Sequence, residues 1–347
     1  MRIVVIGATG HVGGYLVPRL VADGHDVVAI TRGTSAPYRE DPSWQSVERV
    51  ITDREAEDAA GTFGSRVAGL GADAVVDLIC FTPESARQLA DALRGRARQL
   101  VHVGTIWTHG TLTEVPAPED AVKRPWGEYG IQKEAIERLL LAESRREDGL
   151  PVAIVHPGHI SGPGWPIVTP QGTTDLDVWR TLAGGRELLL PGFGLETVHH
   201  VHADDVAQLI RLCLEHPDEA NGEAFHAVSE RALTLRGFAE AAARWFGLEA
   251  RLRFVPFEEF GASLPEEHRD SAYQHVARSH SMSIEKGRRL LGYAPAHSSL
   301  AAVAESVEWL RQAGRLGDGV PPVQFISPRY RDSLGRNDSR RAGAGLC

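Results

Sequence analysis

The sequence predicts an α/β fold in which a doubly wound parallel sheet is followed by a smaller, partly helical C-terminal lobe. Over the first 160 of 347 residues, short β-branched runs alternate with longer amphipathic ones. Alternation of this kind places helices on both faces of a parallel sheet. The first run leads into a glycine-rich turn, and after Pro157 the chain changes to a loop rich in Gly, Pro and Trp. These features together set the fold class and a boundary near residue 160.

The strands and helices of the first 160 residues follow from the spacing of their apolar side chains. Helical intervals in three segments predict helices that pack on the sheet: Gly14–Ala22, Glu84–Leu93 and Ile131–Leu141. Five apolar runs predict its strands: Ile3–Ile6, Val27–Ile30, Ala74–Ile79, Leu100–Val103 and Val152–Val155.

After residue 160 the predicted helices and strands are shorter. We expect residues 161–312 to form the second lobe, from which a segment of about residues 197–230 could return to the first domain. Residues 313–347 combine Gly, Pro, Ser and Arg with little apolar periodicity, which predicts a flexible polar tail. Helical spacing in the lobe predicts Ala203–Glu215, Leu235–Phe246, Ile284–Leu291 and Leu300–Leu310.

Charge and cysteine content disfavour several classes of protein. With 37 basic and 46 acidic side chains the net charge is −9, so we expect no nucleic-acid partner. Cys80, Cys213 and Cys347 are odd in number and far apart, which indicates neither a disulfide framework nor a structural zinc site. No signal-like segment and no long apolar run is present, so we expect a cytoplasmic protein without membrane segments.

The glycine-rich turn is the first candidate binding element. The strand Ile3–Ile6 runs into Gly7, Gly10 and Gly13, with Thr9, His11 and Val12 between them, and a helix follows. Such glycines allow a tight turn and bring a pyrophosphate close to backbone N–H groups at the helix N-terminus. A turn without ligand is the alternative, and a P-loop is disfavoured because no lysine follows. The context predicts a Rossmann-type dinucleotide-binding domain over residues 1–160.

The end of the second strand bears on the choice of dinucleotide. Arg32 stands where such domains usually carry an acid for the ribose 2′-hydroxyl. A guanidinium can bind a 2′-phosphate or stack on adenine, which favours NADP over NAD. Alternatively, Arg32 only lines the entrance and Thr31 binds a bare ribose hydroxyl. Asp53 is a candidate for the adenine amino group, or an exposed loop aspartate.

Tyr129 and Lys133 form the candidate catalytic pair. Their i, i+4 spacing at the start of a helix puts both side chains on one face. Only three lysines accompany 34 arginines, so a lysine here indicates a need for a compact ammonium. An ammonium beside tyrosine should lower the pKa of the phenol towards that of a general acid/base. The alternative is a surface contact between the two side chains.

Thr105 is the candidate partner of Tyr129. It follows the strand Leu100–Val103, at the carboxyl edge where parallel sheets present side chains to ligands. Its hydroxyl could share the substrate's carbonyl or hydroxyl oxygen with Tyr129. The alternative is a strand-end hydroxyl that caps a turn.

With these motifs in order, residues 1–312 resemble the extended short-chain dehydrogenase/reductase family, the group of NAD-dependent epimerases and dehydratases. The resemblance implies that Tyr129 is the acid/base, that Lys133 also holds the nicotinamide ribose and that Thr105 completes the triad. It implies a homodimer, often formed through the helix that carries Tyr129. Within the family's fold we also place Leu78, Ile79, Cys80, Pro157 and His159 at the cofactor site. The matching segments are 7–13, 104–110, 129–133, 156–164, 202–207 and 290–295.

Some residues differ from the family's motifs, and these differences disfavour certain reactions and substrates. Ile106 and Trp107 stand where the similar 4,6-dehydratases have two acids, which disfavours water elimination. Val198 and His156 stand where many nucleotide-sugar enzymes of the family have arginines. A nucleotide diphosphate substrate is therefore in doubt, and a neutral or less charged alcohol or ketone is favoured.

Aromatic and imidazole side chains are candidates for the substrate walls, because they suit a polyhydroxylated ring. Each histidine among them could instead be a satisfied structural residue. No metal site is expected from His199, His200 and His202, because extended spacing points His199 away from the other two and no acidic ligand accompanies them. The candidate walls are Trp107, His109, His156, Trp165, Gln171, Trp179 and His200.

Together these features predict an NAD(P)-dependent oxidoreductase. It would move hydride to or from a secondary alcohol or ketone of a sugar-like or other polyhydroxylated small molecule. A reductase or dehydrogenase is favoured. The first alternative is an epimerase of a sugar or nucleotide sugar, which retains the keto intermediate. The second is a non-catalytic, cofactor-sensing or RNA-associated protein of the same fold.

Overall fold

Seven parallel strands form the central sheet of the computed structural model, which describes residues 1–324. Two 3₁₀ turns, Pro42–Gln45 and Ile106–His109, lie between its elements. Up to residue 157 the elements are β1 (Arg2–Ile6), α1 (Gly13–Ala22), β2 (Asp26–Thr31), β3 (Glu48–Ile51), α2 (Arg54–Ala59), α3 (Phe63–Gly69), β4 (Ala74–Asp77), α4 (Pro83–Leu93), β5 (Gln99–Val103), α5 (Glu128–Ser144) and β6 (Val152–Pro157).

The second half alternates short strands with helices. Its elements are β7 (His159–Ser161), α6 (Asp177–Ala183), β8 (Glu187–Pro191), β9 (Thr197–Val198), β10 (His200–His202), α7 (Ala203–Glu215), α8 (Pro217–Ala220), β11 (Glu223–Ala227), β12 (Leu233–Thr234), α9 (Leu235–Trp245), β13 (Arg251–Val255), α10 (Phe257–Ser263), α11 (Glu266–Arg278), α12 (Glu285–Leu291) and α13 (Ser299–Gln312). Within the described residues, no helix has the length and apolarity needed to cross a bilayer.

The strand order of the sheet is β11-β6-β5-β4-β1-β2-β3, and every pairing in it is parallel. Along β1, Ile3 and Val5 pack into one core cluster, while Val4 and Ile6 pack into the cluster on the other face. Alternate residues of a strand point to opposite faces, so a continuous apolar run requires helices on both sides. The predicted α/β fold with a doubly wound parallel sheet is confirmed.

The order also fixes where a ligand can bind. The chain leaves β1 towards β2 on one side, and β4 pairs with β1 on the other side. Open parallel sheets bind ligands outside the carboxyl ends of the strands, where the direction of winding reverses. In this sheet that point lies between β1 and β4.

Two element boundaries differ from the sequence prediction for local reasons. The strand predicted to reach Ile79 ends at Asp77, whose carboxylate accepts a hydrogen bond from the backbone N–H of Ile79 and turns the chain. The helix predicted from Ile131 begins at Glu128, after Gly127 with φ +73°. This earlier start places Tyr129 inside the helix.

The chain returns to the first domain after visiting the second lobe. Strand β11 pairs with β6 at the edge of the sheet, and apolar side chains of α7 pack into one of the sheet's two cores. The second lobe has a separate core, which includes Leu188, Phe238 and Val307.

The predicted flexible tail begins too early. Leu316 packs into the core of the second lobe, and the backbone N–H of Gln324 donates to the carbonyl oxygen of Trp245 at 2.9 Å. The sparse apolar residues of this stretch are therefore enough to hold it against the lobe. The rest of the predicted tail, residues 325–347, lies outside the described residues.

Candidate active site

The carboxyl edge of the sheet brings the three predicted catalytic residues together. Thr105 follows β5 in extended conformation and caps a 3₁₀ turn by accepting a hydrogen bond from the backbone N–H of Trp107 at 3.3 Å. Its side chain also interacts with the Tyr129 phenol and acts to lower the pKa of that group. Lys133 lies one helical turn after Tyr129 on α5.

Two neighbouring cavities open beside Tyr129, which lines both of them. The smaller cavity is about 140 Å³ and is lined by Leu78, Phe81, Thr105, Tyr129, Lys133 and Pro157, among others. The larger cavity is about 550 Å³ and lies between the start of α5 and the helix α11. The phenol therefore stands at the boundary between two spaces that separate ligands could fill.

Lys133 is held deep in the site. Its side chain is only 2% exposed, and Nζ donates a hydrogen bond to the carbonyl oxygen of Val103 at 3.0 Å. Nζ also lies 5.0 Å from the ring centroid of Phe81. Burial lowers the pKa of Lys133 to about 8, against the opposing effect of Cys80 and Asp77.

The expected lowering of the Tyr129 pKa is wrong for the protein without ligands. Partial burial raises the pKa of the phenol above its ordinary value, and the interaction with Thr105 opposes this only in part. The Lys133 ammonium lies 5.9 Å from the centre of the tyrosine ring and is bonded to a backbone carbonyl instead. Spacing of i, i+4 puts the two residues on one face but does not make them touch.

The glycine turn has the geometry that a dinucleotide needs. Gly7 has φ +82°, and a Cβ on Gly13 would lie 2.1 Å from the carbonyl oxygen of Ala8. The start of α1 can approach the turn so closely only because residue 13 has no side chain. The turn ends at the same sheet edge as the smaller cavity, so these residues fit a pyrophosphate on the N-terminus of α1 and a nicotinamide ring beside Lys133.

Three of the remaining predicted cofactor residues are placed where a cofactor could reach them, and Asp53 has a structural contact. Arg32 is exposed at the end of β2, where a guanidinium is free to meet a phosphate. Leu78 and Pro157 line the smaller cavity. Asp53 instead caps α2 by accepting a hydrogen bond from the backbone N–H of Ala56 at 3.1 Å.

Three cofactor predictions need adjustment. Cys80 is fully buried in the core, where burial raises the pKa of its thiol to about 11. The side chain of Ile79 packs against Gly7, its Cγ2 2.7 Å from where a Cβ would stand, so it supports the turn. His159 is buried and lines neither cavity; its ring packs against that of His275, with centroids 4.9 Å apart.

Among the residues predicted to form the substrate walls, Trp107 lines the larger cavity. Trp165 and Gln171 do not line it. Trp165 stacks on His11 of the glycine turn, with ring centroids 5.8 Å apart. The side-chain amide of Gln171 donates to the carbonyl oxygen of Leu189 at 2.9 Å, so it holds the lobe together.

Four other predicted wall residues are buried, which corrects the prediction. Their side chains have little or no exposure because each completes a core or satisfies a buried polar group. Trp179 packs between Phe238 and Trp245, His109 pairs with His226 at 2.9 Å, His156 accepts a hydrogen bond from the Thr105 backbone, and His200 pairs with Ser161 at 2.9 Å.

Sequence reasoning missed the helix that forms the far wall of the larger cavity. Helix α11 contributes Glu267, Asp270, His275 and Arg278, and its only sequence signal is an acidic first turn with basic residues in its last turn. No sequence pattern indicated that this helix lies near Tyr129. Phe81 was also missed; at 56% exposed, it is a large apolar side chain facing the smaller cavity.

Arg278, on the wall formed by α11, has its guanidinium enclosed by aromatic rings. Its guanidinium lies between two indoles, 3.9 Å from the ring of Trp107 and 3.7 Å from that of Trp126. Nη2 donates to the carbonyl oxygen of Trp126 at 2.7 Å. Burial lowers the pKa of Arg278 to about 10. The residue joins α11 to the turn that starts α5.

One cluster has the composition of a metal site but the wrong protonation. His202, His297 and Glu305 have ligand atoms close together. Nδ1 of His202 accepts a hydrogen bond from the backbone N–H of Asp204 at 3.0 Å, so the ring proton of the neutral imidazole is on Nε2. That nitrogen lies 3.2 Å from Glu305 and presents a proton where a metal needs a lone pair.

Comparison with known proteins agrees with this architecture. Residues 3–227 match the NAD dependent epimerase/dehydratase family. 2'-dehydrokanamycin reductase of Streptomyces kanamyceticus is 28% identical over 321 residues, covering 92% of this chain and 87% of that protein. The 4-hydroxy-2-methyl-3-oxo-4-farnesyl-3,4-dihydroquinoline-1-oxide ketoreductase of Stigmatella aurantiaca is 25% identical over 359 residues, covering 93% and 99%.

A solved structure gives the corresponding comparison of fold. UDP-glucose 4-epimerase from Thermotoga maritima superposes with a TM-score of 0.68 at 20% identity, covering 90% of this chain and 99% of that one. At this identity the similarity concerns the fold alone.

Proposed function

The chain belongs to the NAD dependent epimerase/dehydratase family, enzymes of the extended short-chain dehydrogenase/reductase type, and on that premise we propose that it reduces a ketone of a polyhydroxylated small molecule with NADPH. Tyr129 is the proton donor, Thr105 orients the substrate oxygen and Lys133 holds the nicotinamide ribose. The observation that carries the proposal is that Tyr129 lines both cavities at once. A group in that position can reach a substrate on one side and a cofactor on the other.

Each residue has a defined task in this reaction. The nicotinamide, when bound, supplies or accepts a hydride. In the reducing direction the Tyr129 hydroxyl transfers its proton to the ketone oxygen, while the Thr105 hydroxyl donates a hydrogen bond to the same oxygen. The raised pKa of Tyr129 suits it to carry that proton at neutral pH. Thr105 already interacts with the Tyr129 phenol, so the two hydroxyls lie near each other before substrate arrives.

Two of the relatives that span most of this chain support reduction over epimerisation. They are reductases by name, and one acts on 2'-dehydrokanamycin. An epimerase would use the same three residues, and it differs by retaining the keto intermediate.

The charge around the larger cavity indicates the class of substrate. Glu128, Glu267 and Asp270 bring three carboxylates to its lining, while its one guanidinium, Arg278, is enclosed between two indoles. Carboxylates repel a diphosphate and attract an amine. We therefore propose a substrate that is neutral or carries amino groups, with one apolar face to lie against Trp107.

Arg32 supports NADPH as the reductant. Its guanidinium is exposed at the carboxyl end of β2, where the adenosine ribose of a dinucleotide lies in this fold. A 2′-phosphate there would gain a charge-assisted contact that NADH cannot make.

The test is oxidation of NADPH or NADH with a panel of neutral, amino-substituted and phosphorylated ketones. We expect stoichiometric oxidation with ketones of the first two kinds, its loss in Tyr129→Phe, and retention of cofactor binding in that variant. Tyr273→Phe is the matched control, since that tyrosine packs on Trp126 and Phe257 outside the cavity lining. Equal rates in wild type and Tyr129→Phe would overturn the proposal and leave a cofactor-binding protein. The homodimer and the cytoplasmic location stay predictions.

A further inference from the structure

A chain of buried polar contacts leads from Thr105 into the interior of the first domain. The backbone N–H of Thr105 donates to Nδ1 of His156 at 2.9 Å. Nε2 of His156 lies 3.2 Å from Oε2 of Glu137, and the other carboxylate oxygen of Glu137 pairs with the ammonium of Lys123. His156 and Glu137 are both buried. The contacts connect β5, β6, α5 and the loop before α5 behind the active site.

The backbone before Thr105 is shaped to admit the imidazole. A Cβ on Gly104 would lie 2.5 Å from Nδ1 of His156, so a side chain there would displace the ring. On α5, Tyr129, Lys133 and Glu137 follow at intervals of four residues and share one face. The helix that carries the two reactive side chains therefore also carries the carboxylate that orients His156.

The hydrogen bond from Thr105 determines which nitrogen of His156 carries the ring proton. Because Nδ1 of His156 accepts a backbone N–H, the ring proton of the neutral imidazole is on Nε2, the nitrogen that lies 3.2 Å from Oε2 of Glu137. Burial lowers the pKa of His156 although Glu137 opposes this, so the ring is neutral near pH 7. His156 and Lys123 hold the pKa of Glu137 well below its usual range despite its burial. The buried carboxylate of Glu137 lies between Lys123 and Nε2 of His156, and this contact favours one orientation of the imidazole.

We propose that His156 is a positioning residue, which fixes the backbone of Thr105 and thereby the direction of the hydroxyl that Tyr129 contacts. The inference rests on the proposed function, since it assigns Thr105 to the substrate oxygen. Thr105 has no regular secondary-structure bond at its N–H, because β5 ends at Val103 and a 3₁₀ turn begins at Ile106. The Thr105 N–H donates to Nδ1 of His156 instead. Displacements of about 1 Å at a reacting group can cost about 100-fold in rate.

Two replacements of His156 separate the Thr105 contact from the Glu137 contact. In His156→Asn, the side-chain oxygen occupies the place of Nδ1 and can accept the Thr105 N–H, but nothing reaches Glu137. In His156→Gln, the amide nitrogen reaches the place of Nε2 and keeps the Glu137 contact, but Thr105 loses its acceptor. We expect His156→Asn to keep kcat within about threefold and His156→Gln to lose about 100-fold, with KM for NADPH unchanged in both.

His199 offers a matched control. It is as fully buried, its Nδ1 accepts a backbone N–H from Met282 at 3.0 Å, and its Nε2 donates to the carbonyl oxygen of Ser229 at 2.8 Å. Asn and Gln at position 199 should give the same kcat as each other. Thermal unfolding of all four variants shows whether any loss of rate is a loss of fold. Equal kcat in His156→Asn and His156→Gln, at matched stability, overturns the proposal.

Hydrogen exchange of the Thr105 amide decides the inference even if the proposed reaction fails. We expect slow exchange in wild type and His156→Asn, and faster exchange in His156→Gln. Equal exchange in the two variants would show that His156 does not hold Thr105. Absence of any Tyr129-dependent turnover, with the expected exchange pattern, would overturn the proposed function and leave the anchor of Thr105 established as a structural contact.

Discussion

Lys133 lies one helical turn after Tyr129, yet its ammonium donates to the carbonyl oxygen of Val103 at 3.0 Å and stays 5.9 Å from the centre of the tyrosine ring. The lysine is thus tied to the end of β5, beside the smaller cavity, while the phenol faces both cavities. The two side chains therefore have different neighbours, which agrees with the proposal that Lys133 binds a ribose and Tyr129 moves a proton.

Lys133→Met should lose turnover and gain stability. The folded protein lowers the pKa of Lys133 from 10.5 to about 8, so the unfolded chain binds more protons between these values. Stability from this group therefore rises with pH between about 8 and 10.5, and below pH 8 its buried charge costs about 3 kcal/mol. We expect Lys133→Met to unfold at a higher temperature than wild type at pH 7, and the difference to shrink at pH 10. A lower unfolding temperature at pH 7 would contradict this.

Thr105→Val and Thr105→Ser should behave differently, because only serine keeps the hydroxyl that meets Tyr129. We expect Thr105→Val to lower kcat by about 100-fold and Thr105→Ser to lower it by less than about tenfold. The valine variant also removes the cap on the backbone N–H of Trp107, so thermal unfolding must accompany the kinetics. If both variants turn over equally, the substrate oxygen does not contact residue 105.

Gly13→Ala and Gly14→Ala test the turn. A methyl group on residue 13 would stand 2.1 Å from the carbonyl oxygen of Ala8, whereas on residue 14 its nearest neighbour is Cβ of Tyr38 at 3.7 Å. We expect Gly13→Ala to weaken cofactor binding at least tenfold and to lower the unfolding temperature. Gly14→Ala should be neutral or stabilising by about 0.5–1 kcal/mol. Fluorescence titration with NADPH and thermal unfolding measure both effects, and comparable results for the two variants would refute the close approach.

Arg32→Ala tests the choice of cofactor. Loss of a charge-assisted contact with the 2′-phosphate should raise KM for NADPH by about tenfold or more and leave KM for NADH nearly unchanged. Steady-state kinetics with each cofactor measure the ratio. Should Arg32→Ala weaken both cofactors equally, the guanidinium stacks on adenine; no change with either would place it outside the site.

Local sequence determined the elements of the first domain and the kinds of residue at its edge. Continuous apolar runs such as Ile3–Ile6 require a sheet covered on both faces, and glycines at 7, 10 and 13 permit the close approach of α1. Spacing of four residues alone put Tyr129 and Lys133 on one face of α5. These properties depend on neighbours within a few residues, which is why the printed sequence was enough to predict them.

Tertiary structure alone decided which polar residues face a ligand. His109, His156 and Trp179 have the side chains of a substrate wall but complete buried networks or a core, and α11, distant in the chain, supplies that wall. Burial and long-range hydrogen bonds are sums over contacts from many elements, and no periodicity in one segment records them. For the same reason the pKa of Tyr129 rises where its spacing from Lys133 had predicted a fall.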